Sequence, residues 1–156
     1  MSSFKIPNAS KYAFEIESNN VEITHPHIKI NNSQNTCKLL VISEFHGDKE
    51  LIDNVVKEIN LIIKREKFDA VIIDGDLIHY KEGEISSLEC LKNINHSKIY
   101  AVLGNHDYRS FSYGWKNKEL ADKVEKYLEN LNIDVLRNEN RMICEGNVIL
   151  VGVDKF

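Results

Sequence analysis

Three short polar clusters stand out in the chain: Glu44-Phe45-His46, Gly75-Asp76 and Gly104-Asn105-His106-Asp107. Together they offer carboxylates, imidazoles and an amide oxygen. That mixed oxygen and nitrogen set suits manganese, iron or zinc better than calcium, which prefers oxygen alone. Glu44 and His46 are two residues apart. In an extended segment both side chains would face one point, with Phe45 turned into the core. The glycines before Asp76 and Asn105 let the chain leave a strand sharply, with no Cβ in the way. Taken singly, each cluster reads as an ordinary turn, because Asn, Asp and Gly are common turn formers. Their arrangement along the chain points further.

Each cluster directly follows an apolar, strand-like run: "KLLVIS" (38–43), "AVIID" (70–74) and "KIYAVL" (98–103). Continuous apolar runs of this kind predict strands buried on both faces. Between them lie helical patterns. Asp48 is a good N-cap for a helix to about Glu66, with Leu51, Ile52, Val55, Val56, Ile59, Ile62 and Ile63 on one side. A weaker helix pattern covers 85–93, and a strong one 118–130. Short strands are predicted at 134–136, 141–144 and 148–153, with a turn at 145–147. Upstream, 12–18 and 21–30 alternate apolar and polar residues and read as an antiparallel hairpin. The fold class is therefore α/β, with mostly parallel central strands flanked by helices. In such open sheets ligands bind at the carboxyl ends of the strands, so three clusters at three such ends should converge.

The totals limit the alternatives. The 156 residues are one domain's worth of chain. A formal charge of −4 makes no electrostatic case for nucleic acid. No apolar run approaches the roughly 18 residues needed to cross a bilayer. The start "MSSFKIPNAS" has no apolar signal region, so no signal peptide is expected, with peripheral membrane contact left open. Cys37, Cys90 and Cys144 are scattered and odd in number, which predicts reduced thiols and so favours a cytoplasmic chain. No GxGxxG, GxxxxGK[ST] or GxSxG is present to support a nucleotide site or a serine hydrolase.

The three clusters resemble the opening motifs of the calcineurin-like metallophosphoesterase superfamily: D-x-H, then GD, then GNH[DE], each at a strand end. The surrounding "FDAVIIDGDLI" (68–78), "YAVLGNHDY" (100–108), "IDVLRNE" (133–139) and "LVGVD" (150–154) are similar to its bacterial phosphohydrolase and phosphodiesterase branch. The resemblance implies the N-terminal part of an αββα sandwich and a metal-dependent phosphoester hydrolase using two divalent ions (Mn, Fe or Zn). By position it implies that Glu44 and His46 hold the first metal, Asp76 bridges both, and Asn105 binds the second. His106 would act at the leaving oxygen, oriented by Asp107. The implied mechanism is two-metal in-line displacement on a phosphate-ester substrate.

Departures from the pattern set further expectations. Glu44 stands where the family has Asp, so its carboxylate sits one methylene further out and first-metal affinity should weaken. His79 follows "GDLI" and is expected as a surface or supporting residue. The family's later His and GHxH motifs do not occur, so the single domain 1–156 is expected to be truncated at its C-terminus, with its second sheet incomplete. Only Asp76 and Asn105 would serve the second metal, and one ion or none would bind tightly. A complementing C-terminal half or a homo-oligomer could then complete the site. His25 and His27 have H-x-H spacing but are expected at ordinary strand positions. His96 lies at the wrong end of the sheet. Two other readings compete: a non-catalytic remnant or interaction module, and an unrelated doubly wound binding domain. "DYRSFSYGW" (107–115) is the one candidate specificity loop.

Overall fold

The computed structural model describes residues 23–28, 36–108 and 117–154. The chain divides into two compact units, Met1–Asn31 and Asn32–Phe156. In the first, residues 23–28 are irregular and exposed, so His25 and His27 are not in a strand; the rest of the expected hairpin lies outside the described residues. Most of the aromatic loop, 109–116, lies outside them too.

The second unit follows the predicted alternation closely. Strand β1 (Leu39–Ile42) leads to helix α1 (Lys49–Arg65), β2 (Ala70–Asp74), a 3-10 helix (Glu82–Asn93), β3 (Ile99–Val102), α2 (Lys118–Asn130) and β4 (Asp134–Val135). Strands β5 (Glu139–Ile143) and β6 (Val148–Gly152) follow. The first four strands form one parallel sheet in the order β1-β2-β3-β4, and β5 and β6 form a separate antiparallel pair. A parallel sheet with helices and a second small sheet is the architecture the resemblance implies.

Asp48 caps α1 as expected. Its Oδ1 accepts from the N–H groups of Glu50 and Leu51, both at 3.0 Å. Such a cap contributes about 1 kcal/mol. The segment at 82–93 winds as a 3-10 helix rather than an α-helix. Ser87 Oγ donates to the Glu84 carbonyl at 2.6 Å, and Ser86 Oγ to that of Gly83. These side chains bond three residues back, matching the tighter helix and competing with α geometry.

One face of the parallel sheet carries the core. Val71, Ile73, Ile99 and Ala101 alternate inward and join Ile52, Val56 and Ile59 of α1, Leu88 and Leu91, and Val124 and Leu128 of α2. The other face is only partly covered. Val41, Ile72 and Tyr100 are neighbours in register across it, and Val41 is 57% exposed. β1 is thus not buried on both faces. It is an edge strand, and its apolar run reflects one packed face and one open one.

The cysteines also depart from expectation. Cys37, just before β1, and Cys144, just after β5, are joined in a disulfide; Cys90 is free. They are 107 residues apart in sequence, yet folding brings their Cα atoms to 5.6 Å. The thiol argument for a cytoplasmic chain therefore falls. No helix among the described residues is long and apolar enough to cross a membrane.

Candidate metal centre

The site lies where β1, β2 and β3 end. The chain after β1 stays paired to the chain after β2. His46 N–H donates to the Asp76 carbonyl at 2.9 Å, and Gly47 N–H to that of Leu77 at 2.8 Å. Phe45 is 1% exposed and anchors this segment in the core, which contributes on the order of 2 kcal/mol. Glu44 and His46 flank it and meet on the open side, with His46 Nε2 3.0 Å from Glu44 Oε2.

They do so by a different route from strand alternation. Glu44 has φ 64°, His46 φ 47° and Asp76 φ 51°. All three sit in the left-handed region, which costs non-glycine residues on the order of 1 kcal/mol or more each. The pairing of the two loops and the burial of Phe45 hold them there. Tyr80, Asn132, Asn138, Cys144 and Glu145 share this conformation, but at Glu44, His46 and Asp76 it falls on the would-be ligands, as at a functional site.

The third strand end locks the second. His106 N–H donates to Asp76 Oδ1 at 3.0 Å. Gly104 lies against Asp76 so closely that a Cβ there would overlap Asp76 Oδ1 and its backbone nitrogen. Gly75, at φ +72°, would place a Cβ 2.8 Å from Gly104 N. Gly104→Ala should therefore push Asp76 out of place and destabilise the fold by about 2 kcal/mol, read as a lower urea midpoint. An unchanged midpoint would mean that this contact relaxes freely.

Asp107 is buried at 0% exposure and bonds backbone, not His106. Its Oδ1 accepts from Leu77 N–H at 2.9 Å and Ile78 N–H at 3.0 Å, and its Oδ2 from Gly104 N–H at 2.8 Å. It ties the loops after β2 and β3 together. Burial pushes its carboxyl up to about 6; the three N–H donors pull the other way, and nearby Asp76 adds to the rise.

His106 is half-buried. Tyr80 stacks on its ring at 4.2 Å between centroids, and the Tyr80 hydroxyl lies 3.1 Å from His106 Nε2. Burial holds His106 below the ordinary imidazole range, with Asp76 opposing and His46 and His79 reinforcing the shift. Asn105 lies half-buried in the same loop. Sequence reasoning missed Tyr80; His79 is exposed, as expected, and its ring centroid is 5.6 Å from that of His46 and 5.1 Å from that of His106. The only signal for Tyr80 was proximity to Asp76 in the chain. His96 sits at the opposite end of the strands, its Nε2 3.1 Å from the Phe68 carbonyl, as expected.

One donor atom each from Glu44, His46 and Asp76 lies within 4.8 Å of the others. Two carboxylates and an imidazole gathered this closely, with Asp76 held from both sides, fit a divalent ion of the manganese, iron or zinc type. Comparison with known proteins agrees. The sequence model of the calcineurin-like phosphoesterase family matches residues 37–152, which includes all three strand-end clusters. Searches of curated proteins and of solved structures return no match. The family match covers most of the chain and takes in the three strand-end clusters: this chain belongs to the calcineurin-like phosphoesterase family.

Proposed function

We propose that this chain hydrolyses phosphate esters with the help of divalent metal at Glu44, His46 and Asp76. The observation that supports this best is the convergence of those three donors at one rim of the sheet, with His106 beside them. Asp76 has a donor atom close to those of Glu44 and His46 and accepts from the His106 N–H in the loop carrying Asn105, which supports reading it as the bridge between two ions. Asn105 is the proposed donor on the second side. The chemistry such ions supply is stabilisation of phosphoryl charge and acidification of an attacking water.

The chain's own groups do the rest. Glu44 and Asp76 bring negative charge to the rim, which holds the cation. Pairing of the two loops fixes the spacing between His46 and Asp76. His106, held by Tyr80, donates a proton to the leaving oxygen as it departs. Asp107 acts by holding the loops after β2 and β3 in register, so it is a positioning residue.

The test is hydrolysis of a chromogenic phosphodiester and phosphomonoester with added Mn²⁺. Turnover should vanish on chelation and return with metal. Asp76→Asn should lower it at least about 100-fold, more than loss of a residue that merely supports a ligand. Turnover indifferent to metal, no turnover at all, or equal turnover in the variant would overturn the proposal.

A further inference from the structure

His46, His79 and His106 form a second donor cluster beside the first. Each offers one ring nitrogen within 4.8 Å of the other two. Their ring centroids lie 4.5 to 5.6 Å apart. His46 Nδ1 and His106 Nδ1 are buried with no hydrogen-bond partner among the described residues. Buried imidazole nitrogens without partners are uncommon, and a shared cation is one way to satisfy them.

We propose that these three histidines form an alternative site for a borderline divalent ion such as zinc, one that shares His46 with the Glu44–His46–Asp76 centre. Three neutral imidazoles with an open fourth position are a recognised zinc donor set, and they select nitrogen-loving ions over magnesium or calcium. Around a tetrahedral zinc the donor atoms stand about 3.3 Å apart, given bonds of about 2.0–2.1 Å. The cluster need close by no more than about 1.5 Å to reach that spacing. His79 can supply this movement, because it is exposed while His46 and His106 are half-buried. Its backbone is anchored by the His79 N–H donating to Glu84 Oε2 at 2.7 Å, so the ring moves about a fixed point.

The site stands without the hydrolase reading; one consequence rests on it. Zinc on His106 occupies a nitrogen lone pair, so that nitrogen can neither take up a proton nor deliver one. Filling this site should therefore inhibit a hydrolysis that uses His106 as its acid.

X-ray absorption at the zinc edge on the full chain loaded with zinc decides the matter, since it counts imidazole ligands without reference to activity. Three imidazoles are expected in the wild type and in Asp76→Asn. Two are expected in His79→Ala, with zinc affinity lower by at least about tenfold. A wild-type count of one imidazole plus carboxylate oxygens would overturn this site and leave the hydrolase proposal standing. An unchanged count and affinity in His79→Ala, or no stoichiometric zinc, would also overturn it. Loss of metal-dependent turnover with three imidazoles still counted would sink the hydrolase proposal alone.

Discussion

Replacing Asp107 with alanine should unfold much of the population under conditions where the wild type is folded. The side chain is fully buried and satisfies three backbone donors, those of Leu77, Ile78 and Gly104. Alanine leaves all three without a partner and opens a small cavity. Each stranded donor costs about 1–3 kcal/mol, so the three together cost about 3–9 kcal/mol. Typical domains have only about 5–15 kcal/mol to lose. Urea unfolding followed by circular dichroism should show the transition shifted to far lower denaturant. A shift equivalent to less than about 1 kcal/mol would mean that water replaces the carboxylate at these donors.

Asparagine at the same position separates shape from charge. Its amide oxygen can keep the bonds from Leu77 and Ile78, but its NH₂ would face the Gly104 N–H, donor against donor. Because burial raises the carboxyl to about 6, the folded protein binds more protons than the unfolded chain between about pH 4 and pH 6. Stability from this group is therefore greatest below that window, falls as pH rises through it, and is flat above. Asp107→Asn has no such group. The stability difference between wild type and variant should shrink from pH 4 to pH 6 and then stay constant. A difference that grows with pH would show that the three N–H donors outweigh burial.

Removing His106 should give the largest selective loss of catalysis, provided the hydrolase proposal holds. A proton donor at the leaving oxygen is worth about 10²–10⁴ in rate. That benefit depends on how badly the leaving group needs the proton. For an alkyl phosphate ester, which departs as a strongly basic alkoxide, His106→Ala should lower kcat by about 10³. For a nitrophenyl ester, whose anion leaves readily, the loss should be far smaller. Parallel kcat measurements on the two substrates check this. Equal losses on both would mean that His106 binds the phosphoryl group rather than protonating the leaving oxygen.

Much of the arrangement is legible in the residue order. The three apolar strands, the Asp48 cap, the helix at 118–130 and the clusters at the strand ends follow from local patterns: apolar runs, helical spacing and glycine position. Phe45 was expected in the core and is there. Other features left no local trace. Glu44 and His46 meet through left-handed backbone, not through strand alternation, because loop pairing with Gly75 to Leu77 overrides local preference. Asp107 looked like a partner for His106, yet it serves backbone groups 29 and 30 residues away. A short apolar run cannot say whether its strand is central or at an edge, which is why the openness of β1 was not foreseen.

By itself, then, the order of residues determined which side chains stand at the ends of the strands, through periodicities spanning a few residues, and that these strands run parallel, through the helix patterns that alternate with them. Tertiary structure alone decided which atoms meet. It brought His79 up to His46 and His106, turned Asp107 toward backbone, and joined Cys37 to Cys144 across 107 residues. Such meetings arise when separate segments pack against one core, and the distance between two side chains is then set by that packing rather than by their separation along the chain.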